Sequence, residues 1–141
     1  MDSRDNILSK KAFNFIDKCK GKDNAADIRT ELEGLPAKIK INGLPQTLIF
    51  LLEKSKTDNS GNEQNDRYMI GKELVEYLAK KELDKDKTTN YPSEAYKLCE
   101  KNLRHATIEA VAYTAWLKRM AKAIIPKKDN SNTNTEVSNE N

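Results

Sequence analysis

The side chains able to do chemistry in this sequence are mostly cations. They fall into separate groups. Lys38 and Lys40 precede the junction Asn42-Gly43-Leu44-Pro45, and Lys118, Arg119 and Lys122 follow one another near the end of the last apolar segment. Lys10, Lys11 and Arg104 are possible additions. Strips of ammonium and guanidinium groups attract phosphates by charge and by release of counterions, with no need to read a base. Asn42 and Gln46 add amides at the same junction that could hydrogen-bond a nucleic-acid backbone. An asparagine before glycine is also ordinary turn chemistry, and a lysine strip on a helix also serves as plain solvated surface.

Signs of catalysis are missing. The one histidine, His105, stands just ahead of Thr107, which suits a helix cap, so it reads as a helix-junction residue rather than a base or ligand. HExxH, GxxxxGK[ST] and GxGxxG do not occur. Asp84 and Asp86 alternate with lysines in KKELDKDK, which suggests a solvated charge run rather than a cation cage. No catalytic residue, metal site or cofactor is expected, and no small-molecule substrate. Trp116 and Phe15 sit among core positions and read as packing groups rather than base-stacking ones.

The elements that must carry these groups are all helical. A first helix over about Arg4–Lys20 shows Leu8, Ala12, Phe15, Ile16 and Cys19 at spacings of three and four. Asp2 or Ser3 can cap it and Gly21 can end it. A second helix keeps phase through Ala25, Ile28, Leu32, Leu35 and Ile39, with a kink or brief break expected at Pro36. Gly43 can take positive φ, and Pro45 suits the first position of a third helix reaching about Ser55. Leu44, Leu48, Leu51 and Leu52 form its face, widened by Ile49 and Phe50, so it reads as a central helix covered on several sides.

Thr57 to Asn65 is a polar loop. A fourth helix over Asp66 to about Leu83 aligns Ile70, Leu74, Tyr77 and Leu78, with Gly71 allowing close contact. A charged loop over Asp84 to Asn90 leads to a fifth helix from Pro92, with Ala95, Leu98, Cys99 and Asn102 in line. A sixth is capped by Thr107, with Glu109 near its positive end, and stops at Pro126. Its first half should be buried nearly all round, by the domain or by a partner, and its second half should expose the basic face.

The expected fold is an all-α compact bundle of about six helices. Residues 1–125 form a single domain and 126–141 a disordered polar tail. Mean hydropathy is −0.83 and 33% of the residues are charged. All 25 basic residues precede Asp129, whereas three acidic ones (Asp129, Glu136, Glu140) follow it, so the body is more basic than the net charge of +3 implies. Such a body permits nucleic-acid binding. Cys19 and Cys99 read as reduced core thiols. With no apolar leader and no segment of transmembrane length, a soluble cytoplasmic protein without a membrane partner is expected.

The order of these features carries more than any one of them. Leu35, Pro36, Ile39, Asn42, Gly43, Leu44, Leu48, Phe50 and Leu51 form the centre, and Thr107, Glu109, Ala110, Tyr113, Trp116, Leu117, Lys118, Arg119, Ala121 and Ala123 form the terminal helix. Over about residues 4–125 the sequence resembles the small all-helical subunit of type III-B CRISPR RNA-guided effector complexes, the fifth member of the Cmr set. The match is weak between Lys56 and Tyr91 and does not reach the tail.

The resemblance implies a bundle without an active site that serves antiviral defence. Copies would stack into the minor filament, beside other Cmr subunits that hold the CRISPR guide RNA, and help form the channel for guide and target RNA. Cleavage would belong to those other subunits. Carried over by position, the basic residue before the turn is Lys40, and the terminal-helix cations are Lys118 and Arg119. Lys38, Arg104 and Lys122 rest on the surface argument alone.

Two other readings stand beside this one. One is a pure protein-interaction spacer whose lysines face solvent. The other is a small helix-turn-helix DNA regulator turning at Asn42–Pro45. For the latter, the helix after the turn is too apolar to read base edges.

Overall fold

Apolar side chains at helical spacing leave the chain one way to dry them, which is to stack helix on helix. The structure, a computed structural model, describes residues 3–53, 66–83 and 90–127. It contains α1 (Arg4–Cys19), α2 (Ala25–Asn42), α3 (Leu44–Leu52), α4 (Asp66–Leu83) and α5 (Tyr91–Ile124). The expected loop over 57–65, the expected loop over 84–90 except Asn90, and the expected tail over 126–141 except Pro126 and Lys127 lie outside the described residues. No described helix is long and apolar enough to cross a membrane.

In α1 the Ser3 hydroxyl accepts the Asn6 N–H at 3.2 Å, and the stripe of Leu8, Ala12, Phe15, Ile16 and Cys19 is buried as its spacing predicts. Gly21 does not end this helix through a left-handed turn, because the cap is Lys20 in ordinary helical geometry. α2 runs through Pro36 as one helix, without a break. Proline costs a helix interior about 3 kcal/mol. Complete burial of Ile28, Leu32 and Leu35 contributes roughly 2 kcal/mol for each side chain and outweighs that cost.

The turn after α2 is as tight as a chain allows. Gly43 both ends α2 and starts α3, with φ 91° and ψ 154°. Its N–H donates to the Ile39 carbonyl at 2.9 Å, and its own carbonyl accepts the Thr47 hydroxyl at 2.8 Å. α3 is less enclosed than expected. It buries Leu44, Thr47, Leu48, Leu51 and Leu52, but Ile49 remains 46% exposed and Phe50 is half-buried. The central element is α5, which packs against α1, α2, α3 and α4.

α3 and α4 approach closely at Gly71, where an added Cβ would stand 3.0 Å from Leu51 Cβ and from Leu52 Cδ2. A Gly71→Ala change gains about 1 kcal/mol of helix propensity and loses about 1–3 kcal/mol to overpacking. Leu51 Cβ cannot swing aside, so the expected net result is a loss of about 1 kcal/mol. It should appear as a lower urea midpoint with an unchanged slope.

α5 joins the fifth and sixth helices expected from the sequence end to end, with their junction at Asn102 rather than at Thr107. The two limbs meet in a bend at Asn102, whose φ of −156° and ψ of 76° are non-helical. Asn102 is exposed, not in line with the core, and its Oδ1 accepts the His105 N–H at 3.2 Å. The cap is therefore Asn102. Thr107 lies inside the helix and returns its hydroxyl to the Leu103 carbonyl at 2.7 Å.

His105 staples this bend. Its Nδ1 lies 2.6 Å from Glu82 Oε2, and Lys101 Nζ donates to the Glu82 carbonyl at 3.1 Å, which ties the bend to the end of α4. The reading of His105 as a junction residue matches this geometry.

Candidate nucleic-acid interface

Two helices meeting at one glycine must present the side chains nearest the turn on both sides of a notch. Lys38 and Asn42, four residues apart on α2, share a face. Gln46, Thr47 and Phe50 come from α3. Together these five residues line a groove of about 260 Å³. Three of the sequence-derived residues, Lys38, Asn42 and Gln46, are thus brought together.

Lys40 does not join them. Two helical residues subtend about 200°, so Lys38 and Lys40 stand on opposite flanks of the buried stripe of α2, not side by side on one exposed face. Lys40 is exposed.

The charge in the groove is organised by a residue that the sequence did not single out. Glu31, only 9% exposed, accepts Lys38 Nζ at 3.0 Å on one oxygen and Arg67 Nε at 3.2 Å on the other. Both cations also lie over the Phe50 ring, Lys38 at 5.5 Å and Arg67 at 4.7 Å from its centroid. Glu31 thus gathers both cations at one point. Arg67 was invisible to periodicity arguments because it enters from the far side of the polar segment over 57–65.

The second limb of α5 carries the other cations. Arg104, Arg119 and Lys122 are exposed and Lys118 is half-buried. Arg104 and Lys122, eighteen residues apart, fall on one meridian separated by roughly 27 Å. Arg119 lies over the Trp116 ring at 4.9 Å, and Trp116 Nε1 donates to Asp5 Oδ1 at 3.4 Å, which fixes this part of the strip against α1. Between the cations the domain leaves Ile108 48% exposed and Val111 and Ala115 half-buried. The expected all-round burial of this segment is not supplied by the domain itself.

Behind the strip lies a buried polar layer. Tyr77 OH donates to Glu109 Oε1 at 2.9 Å, Arg4 Nη2 meets Glu109 Oε2 at 3.3 Å, and Tyr113 OH donates to Glu73 Oε2 at 2.6 Å. The two tyrosine rings lie 4.4 Å apart. Glu109 is thus a buried junction of α1, α4 and α5, not a surface residue tuning a helix end.

Burial pushes the Glu73 carboxyl above its ordinary 4.5, with Glu76 adding to the shift, while the Tyr113 hydrogen bond, Lys18 and Lys11 oppose it. A carboxyl raised in this way holds its proton more tightly folded than unfolded. Stability is therefore greatest below pH 4.5 for this group and falls as pH climbs through the folded value. Glu73→Gln keeps an acceptor for Tyr113 and removes the buried charge. It is expected to raise stability at pH 7 and to flatten the loss above pH 4.5 in chemical denaturation run across pH.

Cys19 is buried and Cys99 half-buried, both as free thiols. Burial drives Cys19 up to about 11 and also raises Cys99, which makes both poor nucleophiles. Among the described residues no group of three or more His, Cys, Asp or Glu is placed to hold a metal ion.

Known proteins share this arrangement of helices. A family model described as CRISPR-associated protein (Cas_Cmr5) matches residues 4–124. No curated protein matches the chain. Among solved structures, a CRISPR-associated Cmr5 family protein from Thermus thermophilus superposes with a TM-score of 0.67 at 19% identity, covering 89% of this chain and 100% of that one. At that identity the superposition shows a shared fold.

Proposed function

This chain belongs to the Cmr5 family of CRISPR-associated proteins, the small subunits of type III-B Cmr effector complexes, and from that premise we propose that it is a non-catalytic subunit in antiviral defence that holds guide and target RNA by their backbones. The observation that supports this reading best is the exposed cationic strip of Arg104, Arg119 and Lys122 on the second limb of α5, with Lys118 half-buried beside it. An RNA backbone offers phosphates and 2′-hydroxyls whatever its bases, and such a strip matches them without sequence preference.

The half-exposed apolar residues between these cations support assembly as well. Ile108, Val111 and Ala115 form a face suited to another subunit or to a further copy of this chain. This subunit would then stack with copies of itself in the minor filament, in the cytoplasm, with neither a membrane nor a small-molecule partner. The same face also favours a second reading, a protein-interaction spacer whose lysines meet only water.

Affinity purification of the full chain followed by mass spectrometry tests the assembly. Recovery of the large CRISPR effector subunits together with a short guide RNA is expected. Recovery of neither would overturn the proposal.

A further inference from the structure

We propose that the groove at the α2–α3 corner seats a single unpaired adenine of an RNA strand, with Asn42 and Gln46 reading its edge and Phe50 forming the apolar wall. This rests on the RNA reading above and goes beyond it, because a backbone contact needs only charge.

The chemistry of the groove exceeds what a phosphate requires. A phosphate site needs donors alone. This groove pairs an aromatic wall with two amides, each holding both a donor and an acceptor. Neither the Asn42 nor the Gln46 side chain is held by another described residue, and both are exposed. The third polar group, the Thr47 hydroxyl, is already committed to the Gly43 carbonyl at 2.8 Å and lies 3.4 Å from the Lys38 carbonyl. Besides the Lys38 ammonium, the polar capacity left to a ligand is therefore the amide pair.

Asparagine and glutamine amides match the paired donor and acceptor on one edge of adenine. Phe50 supplies the aromatic wall of the groove. Lys38 stands at the rim to take the attached phosphate while it keeps its 3.0 Å contact with Glu31. A volume of about 260 Å³ accommodates a base.

The test is an NMR titration of the full chain with AMP, UMP and ribose 5-phosphate, following the side-chain amide signals of Asn42 and Gln46. AMP is expected to bind about tenfold more tightly than ribose 5-phosphate and to shift both amide pairs. The exposed double substitution Asn42→Ala with Gln46→Ala, read on backbone signals of the groove, is expected to bring AMP down to the ribose 5-phosphate level. Equal binding of AMP and ribose 5-phosphate, equal binding of AMP and UMP, or a double variant that binds AMP like the parent would each overturn the adenine seat and leave the backbone reading standing. If none of the three ligands shifts any signal in the groove or on the second limb of α5, both readings fail together.

Discussion

Replacing Lys40, Lys118 and Arg119 with glutamine is expected to cut the affinity of the assembled effector complex for target RNA by roughly fifty-fold at about 0.15 M salt. The figure follows from counterion release. Each contact with a single strand contributes about 0.7 to the slope of log K against log salt, so three lost contacts lower the slope by about 2. Lys40 and Arg119 are exposed and Lys118 is half-buried; no deeply buried charge is disturbed, so the subunit should still fold and assemble. Arg119 also gives up its place over Trp116, which at an exposed site contributes about 0.5–1 kcal/mol. A full salt titration separates the causes, since lost phosphate contacts change the slope and a damaged fold lowers affinity at every salt concentration. An unchanged slope in a fully assembled complex would place these three cations in solvent.

Gly43→Ala is expected to destabilise the chain by about 2 kcal/mol, because φ 91° with ψ 154° is a region open essentially to glycine alone. For a chain of this size that corresponds to a melting temperature lower by about 8 °C. The strain cannot relax cheaply. Gly43 donates to Ile39 on α2 and its carbonyl serves Thr47 on α3, so rotating it breaks both helix ends at once. Gly21 is the control. It has no positive φ and open space around a Cβ, and Gly21→Ala should leave the melt unchanged or raise it slightly. The two variants compared by circular dichroism isolate backbone geometry from the general loss of a glycine. Equal melts would remove the special role of the corner.

Much of this was legible in the residues because the signal was local. Leu8, Ala12, Phe15, Ile16 and Cys19 declare a buried stripe by spacing alone, and α1 obeys it. Asn42-Gly43-Leu44-Pro45 declares a turn because glycine and proline restrict what the backbone can do there, and Gly43 does adopt positive φ. Gly71 at the α3–α4 contact follows from the same kind of reasoning.

The errors arose where a tertiary contact outvoted a local preference. Thr107 looked like a cap, but the break falls at Asn102, where His105 and Lys101 both reach Glu82 on α4. Pro36 allowed a kink or a brief break, and packing on both sides of it keeps α2 free of the break. The helix angle alone could have separated Lys38 from Lys40. Arg67 and the buried Glu31 could not have been foreseen, because their meeting depends on how α4 returns across the corner. Glu109 misled for the same reason, since its burial is set by Arg4 and Tyr77 from two other helices.

The central claim is that this subunit touches RNA and does more than space its neighbours. Ultraviolet crosslinking of the assembled complex bound to target RNA, followed by mass spectrometry of this chain, tests it most directly. Crosslinked peptides are predicted from the α2–α3 corner and from the second limb of α5. A complex that captures target RNA yet yields crosslinks only from its other subunits would contradict the claim and leave this chain a spacer.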